Sequence, residues 1–138
     1  MNNLKLTIII SAEEEQDIFT GEKELRKALT FEYDNNDNQN DYSILTIDNN
    51  GFLALSINEE CTFTDYTLNF VSYICGAEVT KNDLDTSLDG SYRFMPIDED
   101  VERWNRAVKF INNNKLKVNY SEELSFSEGV SNNIKLKK

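Results

Sequence analysis

The sequence predicts an α+β domain in which an antiparallel sheet of about five to six strands carries one main helix packed on a face and a second short helix. Three observations predict this class. Two apolar segments flank a compact turn, a later segment follows helical spacing, and 138 residues with 39% hydrophobic and 11% aromatic side chains suffice for one core. We expect residues 1–120 to form a single domain and residues 121–138 to be a polar C-terminal tail.

The first third of the chain is predicted to contain one strand, one short helix and a loop. Leu4–Ile10 is predicted to be a strand rather than a signal peptide, because Lys5 interrupts its apolar run. Gly21–Leu29 is predicted to be a helix, with Thr20 as its N-cap, acids in its first turn and bases towards its end. Asp34–Asp41 contains only Asp, Asn and Gln, which predicts a solvated loop.

The clearest local signal is a hairpin formed by Tyr42–Ile47 and Phe52–Ile57. A two-residue loop would place Ile47 opposite an alanine. A three-residue loop, with Gly51 in the left-handed conformation of a bulge, places Ile47 opposite Leu53 instead. The second register pairs large apolar side chains on one face, and the sequence therefore favours it.

The remaining strands are predicted from alternation and turn residues. Tyr66–Ile74 alternates apolar and polar positions and predicts a strand, after which Cys75-Gly76 turns the chain. Asp83–Gly90 is predicted to be a polar connection. Short strands are expected at Tyr92–Met95 and, finally, at Leu116–Tyr120.

The main helix is predicted at Glu99–Ile111, where Asp98 can cap the start and acids occupy the first turn. Its apolar residues recur at intervals of three and four and form one stripe, namely Ile97, Val101, Trp104, Val108 and Ile111. We expect Trp104 to be buried where this helix meets the sheet.

The composition argues against enzymatic chemistry. The chain has no histidine, no Gly-rich phosphate loop and only two cysteines, Cys61 and Cys75, which are too few for a zinc site. A calcium loop starting at Asp34 would place Gln39 where glycine is needed and Leu45 where glutamate is needed. The sequence therefore predicts no catalytic residue, no metal ligand and no cofactor.

The charge distribution points to a basic partner. The formal charge is −11; residues 1–102 hold 22 acids and 6 bases (6 − 22 = −16), and residues 103–138 hold 3 acids and 8 bases (8 − 3 = +5). Direct nucleic-acid binding is disfavoured, because phosphate contacts need clustered Lys and Arg. No stretch is long and apolar enough to predict a membrane span. A basic protein, such as a nuclease or another nucleic-acid-binding effector, has the complementary charge.

Acidic residues in irregular segments are the candidate contacts, because helix capping does not already explain them. They are Asp34, Asp37, Asp41, Glu59, Glu60, Asp83, Asp85 and Asp89. Four tyrosines are candidate anchors for such an interface, namely Tyr42, Tyr66, Tyr73 and Tyr92.

The order of elements from Gly21 to Tyr120 resembles the small immunity proteins of bacterial polymorphic-toxin systems. The similar features are a hairpin whose second strand reads Gly51–Leu55 and a late helix that ends with Val108–Asn114 before a final strand. The Thr-Gly and Pro usual in that closing segment are absent, and Leu116 stands where the Pro is expected. The resemblance implies binding to a cognate toxin and carries over no binding residues.

Three functions are compatible with these observations. The leading hypothesis is a non-catalytic, cytoplasmic inhibitor of a basic protein, specifically an immunity protein that neutralises a toxin stoichiometrically. The first alternative is a phage-encoded inhibitor of a nucleic-acid-targeting defence system, an anti-CRISPR or anti-restriction protein that can imitate DNA. The second is a structural or regulatory domain whose acidity serves solubility alone.

Overall fold

The computed structural model describes residues 4–120, except for the side chains of Glu13 and Glu15. The predicted C-terminal tail at 121–138 lies outside the described residues. Seven strands and two helices follow one another in the order β1 (Leu4–Gln16), β2 (Lys23–Asn35), β3 (Asn38–Asp48), β4 (Leu53–Ile57), α1 (Thr64–Cys75), β5 (Asp85–Thr86), β6 (Tyr92–Phe94), α2 (Val101–Asn113) and β7 (Asn119–Tyr120).

The strands form one mostly antiparallel sheet in the order β5-β6-β4-β3-β2-β1-β7. Among the strand pairs of residues 4–120, only the short pairing of β7 with β1 is parallel, and it joins Ile9 to Asn119 and Ile10 to Tyr120. The predicted α+β class is therefore confirmed, with seven strands in place of five to six and with two helices as expected.

Both helices cover the same face of the sheet. The alternate residues of β1 to β4 that point to this face are buried, among them Ile10, Phe31 and Ile47 at 0% exposure. Phe31 meets Phe70 of α1 with ring centroids 5.0 Å apart, and Phe70 in turn meets Phe110 of α2 at 4.9 Å. These edge-to-face aromatic contacts join the sheet and both helices in one core.

The predicted hairpin register is confirmed. Ile47 lies opposite Leu53, and Leu45 lies opposite Leu55. Gly51 has a φ of 89°, which glycine adopts without the steric cost that other residues incur. The predicted strands at Leu4–Ile10, Tyr92–Met95 and Leu116–Tyr120 are also present, although the first is longer and the last shorter.

The helix predicted at Gly21–Leu29 is wrong, because these residues enter strand β2. Leu29, Phe31 and Tyr33 are buried on one face of β2 at the two-residue spacing of a strand. The Thr20 hydroxyl accepts a hydrogen bond from the Glu22 amide at 3.1 Å, so it stabilises a tight turn rather than a helix start.

The solvated loop predicted at Asp34–Asp41 is also wrong for most of its length. β2 continues to Asn35 and β3 begins at Asn38, so only Asn36 and Asp37 form the turn. The Asn35 side-chain oxygen accepts a hydrogen bond from the Asp37 amide at 2.9 Å. A polar Asn and Asp run therefore builds a tight hairpin turn with its own side chains.

The strand predicted at Tyr66–Ile74 is wrong, because these residues form helix α1. The buried side chains are Thr67, Leu68, Phe70, Val71 and Ile74, a helical rather than an alternating pattern. The predicted turn after the segment is correct, since Gly76 ends α1 in the left-handed conformation.

Helix α2 is confirmed, but it starts later than predicted and buries a different set of side chains. Asp100, rather than Asp98, caps it by accepting from the Glu102 amide at 3.1 Å. Ile97 precedes the helix and is fully exposed, and Trp104 is only half-buried rather than buried. The buried residues are Arg103, Ala107, Val108 and Ile111.

The predicted polar connection at Asp83–Gly90 is partly ordered. A single 3-10 turn at Lys81–Asp83 precedes β5, which pairs with β6 through Asp85–Arg93 and Thr86–Tyr92. This hairpin forms one edge of the sheet.

Candidate partner-binding surface

The sheet register brings the eight predicted contact acids to one end of the sheet. The β2–β3 turn lies at this end, and β4 reaches it at Ile57, which pairs with both Ser43 of β3 and Tyr92 of β6. The loop after β4 and the β5–β6 hairpin therefore lie at the same end of the sheet as the β2–β3 turn, although the β2–β3 hairpin continues five residues beyond the last β3–β4 pair. We call this surface the acidic end and define it by Asp34, Asp37, Asp41, Glu59, Glu60, Asp83, Asp85 and Asp89.

Asp41, one of the candidate contact residues, is buried inside the fold and does not lie on the surface. It is 1% exposed, and its carboxylate accepts from the Thr62 amide at 2.7 Å, the Thr62 hydroxyl at 2.6 Å and the Asn35 amide group at 3.1 Å. Burial acts to raise the pKa of Asp41, but these hydrogen bonds outweigh it and hold the pKa below its ordinary value. Asp41 therefore anchors the β4–α1 loop to β3.

Two further acids shape the loops that carry them. Asp83 accepts a hydrogen bond from the Thr80 amide at 2.8 Å and stabilises the 3-10 turn before β5. Asp89 accepts from Ser87 and Ser91, and its carboxylate lies 3.5 Å from the Arg93 guanidinium. The hydrogen bonds from Ser87 and Ser91, more than the charge of Arg93, hold the pKa of Asp89 well below its usual range.

The remaining five acids lie at least partly on the surface. Asp34 is half-buried in β2, and Asp37, Glu59, Glu60 and Asp85 are exposed. They belong to three separate chain segments that only the sheet register brings together. Each is positioned by ordered backbone rather than by a long irregular loop.

Cations at the acidic end reduce its charge without cancelling it. Lys5 lies opposite Asp34 in the β1–β2 register, and Lys81 and Arg93 lie in or next to the β5–β6 hairpin. Together with the seven acids that are at least partly exposed they sum to a formal charge of −4 (3 − 7). The surface is therefore negative overall and fits a positively charged partner.

Two of the four predicted tyrosines lie among these acids. Tyr42 is half-buried opposite Asp34 and borders a depression of about 430 Å³ with Glu32 and Gln39. Tyr92 is 39% exposed and lines a smaller cavity of about 240 Å³ together with Glu59 and Lys81. Each offers an aromatic face and a hydroxyl beside carboxylates, as in many protein interfaces.

The other two tyrosines line a groove that the sequence analysis missed. Tyr66 and Tyr73 lie seven residues apart on α1, and with Tyr33, Phe70 and Phe110 they border a groove of about 470 Å³. Burial, followed by the neighbouring Tyr66, raises the pKa of the Tyr33 hydroxyl well above its ordinary value. Recognising Tyr66–Ile74 as helical would have placed both exposed tyrosines on one side of α1.

The two cysteines are free and half-buried; Cys61 precedes α1 and Cys75 is the last residue of that helix. Burial raises the pKa of the Cys61 thiol, and burial also raises that of Cys75 despite the nearby Arg103 and Arg106 guanidinium groups. Among the side chains that the structure describes, no three acidic, Cys or His groups lie closely enough together to hold a metal ion. In the same range, neither helix is long and apolar enough to cross a bilayer.

Comparison of the chain with protein-family models, with curated protein sequences and with solved structures found no match.

Proposed function

We propose that this chain is a non-catalytic acidic protein that binds and inhibits a basic protein stoichiometrically, and specifically that it is an immunity protein for a bacterial toxin. We place its action in the cytoplasm, where its two free thiols stay reduced. The observation that carries the proposal is that seven at least partly exposed acidic residues from three chain segments lie at one end of the sheet.

The acidic end supplies what fast recognition of a basic surface requires. A net formal charge of −4 over ten residues attracts a positively charged partner over a distance of about one Debye length, 8–10 Å at physiological salt. Asp41, Asp83 and Asp89 fix the loops through hydrogen bonds, so the exposed carboxylates need little further ordering on binding.

Tyr42 and Tyr92 supply the short-range part of the proposed interface. Aromatic side chains with few rotatable bonds carry much of the binding free energy in protein complexes. In this arrangement carboxylates occupy the positions of phosphates in a cleft that binds nucleic acid, and tyrosines pack at its rim. The partner's active site is thereby blocked without any chemistry by this chain.

The experiment begins with capture of the partner from the native host and measurement of the partner's own activity. We expect activity to fall linearly with added chain and to vanish at a molar ratio of 1:1. Turnover of the partner's substrate by this chain, or inhibition only at large excess, contradicts the proposal. Capture of a CRISPR or restriction nuclease moves the assignment to the phage-encoded alternative.

A pair of charge reversals locates the interface. Asp37→Lys with Glu60→Lys changes two exposed acids of the acidic end, whereas Glu78→Lys with Glu99→Lys changes the net charge equally at exposed sites outside it. We expect the first pair to slow association about tenfold at low salt and the control pair to change it much less. Equal effects of the two pairs would mean that total charge, rather than the acidic end, governs binding.

A further inference from the structure

The β1–β2 hairpin extends beyond the rest of the sheet. β1 and β2 pair over their full length, from Leu4–Asn35 to Gln16–Lys23, but β3 pairs with β2 only as far as Ala28. Residues 13–26 therefore form a two-stranded projection, which we call the arm, at the end of the sheet opposite the acidic end. Among the described residues no other strand pairs with the arm.

The arm is held in a defined direction by Asn49 of the β3–β4 turn. The Asn49 amide donates to the Lys27 carbonyl at 2.9 Å, and its side-chain oxygen accepts from the Lys27 amide at 3.1 Å. Its side-chain nitrogen donates to the Leu25 carbonyl at 3.4 Å. Asn49 thus extends the hydrogen bonding to β2 beyond the point where the pairing of β2 with β3 ends.

The tip of the arm is a closed, hydrogen-bonded turn. The Asp17 carboxylate accepts from the Phe19 amide at 2.7 Å and from the Thr20 amide at 3.1 Å. The Gly21 amide donates to the Asp17 carbonyl at 2.8 Å, with Gly21 at a φ of 74°. The backbone that presents Ile18 and Phe19 is therefore preorganised.

Two apolar side chains at this tip, Ile18 and Phe19, contribute almost no burial to the folded chain. Ile18 is 87% exposed and Phe19 is 91% exposed, although both are large apolar side chains. An ordered projection with an apolar tip is typical of a surface that another molecule covers.

We propose that the arm is a second docking element, separate from the acidic end, whose Ile18 and Phe19 insert into an apolar pocket with a basic rim on a partner protein. The arm holds six acids and two bases, a formal charge of −4 (2 − 6). This charge opposes docking against a second copy of the same arm or against an anionic membrane. It complements a rim of Lys and Arg around the pocket that receives Phe19.

The first experiment places a photo-cross-linking amino acid at position 19 of the full chain expressed in the native host. A matched chain carries it at position 97, because Ile97 is equally exposed and lies outside the arm. We expect position 19, but not position 97, to cross-link to a basic protein that mass spectrometry identifies. Absence of any cross-link above the position 97 control overturns the proposal, as does a cross-link to a second copy or to residues 121–138 of the chain itself.

The second experiment measures the affinity of that purified protein for variants of the full chain. Phe19→Ser should weaken binding at least tenfold, and Ile97→Ser should leave it unchanged. Neither change should lower the melting temperature, because both side chains are exposed. Equal affinity of the Phe19→Ser variant and the wild type contradicts the arm proposal, as does an acidic captured protein.

The arm and the acidic end are tested independently. The Asp37→Lys, Glu60→Lys chain keeps an intact arm, so position 19 should still cross-link in it. Loss of this cross-link overturns the separation of the two surfaces. Failure of the immunity proposal leaves the position 19 cross-link intact, and failure of the arm proposal leaves the salt-dependent association at the acidic end intact.

Discussion

Two buried charged side chains join loops to the sheet at its opposite ends. Asp41 accepts hydrogen bonds from the β4–α1 loop at the acidic end. Arg103 of α2 donates to the carbonyls of Gly51 and Asp98, both at 2.9 Å, next to the β3–β4 turn. Each satisfies backbone or side-chain groups that folding removes from water, so removing either one leaves its partners unpaired.

Replacing Asp41 with Asn should destabilise the fold in a pH-dependent way. At pH 7 we expect a loss of about 2 kcal/mol, because the amide cannot accept all of the hydrogen bonds that the carboxylate accepts. The folded-state pKa of Asp41 lies below the ordinary 3.8, so its contribution is complete above that value and is lost as the pH falls below it. Urea unfolding at pH 7, 5, 3 and 2 should therefore show the variant's deficit shrinking in acid. The exposed Asp37→Asn serves as control, and a deficit independent of pH would contradict the assigned role of Asp41.

Replacing Gly51 with Val should destabilise the β3–β4 hairpin by about 2 kcal/mol or more. The φ of 89° disfavours any side chain, and a Cβ at this position would lie 2.0 Å from the Asp100 carbonyl oxygen. Thermal unfolding measures the loss, with the neighbouring exposed Asn50→Ala as control. A Gly51→Val chain as stable as the wild type would be incompatible with the close approach of α2 to this turn.

At the scale of elements, turns could be predicted from the local sequence. Whether a segment with both apolar and polar residues forms a helix or a strand could not. The Gly51 bulge and the Gly76 helix end follow from glycine alone. Tyr66–Ile74 alternates convincingly and is rich in strand-favouring residues, yet packing against Phe31 and Phe110 stabilises it as a helix. No local signal in 21–29 reveals that seven of these residues, 23–29, pair with β1.

The candidate site, too, could be predicted from the sequence only in part. The acidic candidates could be chosen by residue type and by their position outside predicted elements, and seven of the eight lie at least partly exposed. Their convergence depends on the Ile57–Tyr92 register, which is a long-range contact that local pattern does not encode. The arm was missed because a helix was predicted in its second strand.

Helix α2 should depend on the fork geometry of Arg103 rather than on its charge. Arg103 binds the Asp98 carboxylate at 2.9 Å in addition to the two carbonyls, and a Lys side chain cannot reach all three acceptors. We expect Arg103→Lys to lower the free energy of unfolding by about 2 kcal/mol. Urea denaturation followed by Trp104 fluorescence provides the measurement, and Arg93→Lys on the exposed edge is the control. Equal losses in the two variants would show that charge alone is sufficient.

At the scale of the whole molecule, the sheet separates two acidic surfaces. The acidic end gathers carboxylates around Tyr42 and Tyr92, whereas the arm presents Ile18 and Phe19 beyond the opposite end. With no histidine in the chain, no side chain of ordinary pKa titrates between pH 6 and 8. Ionic strength rather than pH should therefore govern how this protein associates with a basic partner.

The salt dependence of the association rate tests the central claim most directly. Stopped-flow mixing of the wild type with its purified partner, from 20 to 500 mM NaCl, should give an association rate that falls steeply while the dissociation rate changes much less. The slope should be shallower for the Asp37→Lys, Glu60→Lys chain and closer to that of the wild type for the Glu78→Lys, Glu99→Lys control. An association rate indifferent to salt and to the reversals at the acidic end would contradict the claim, and would leave the acidic end as solvated surface.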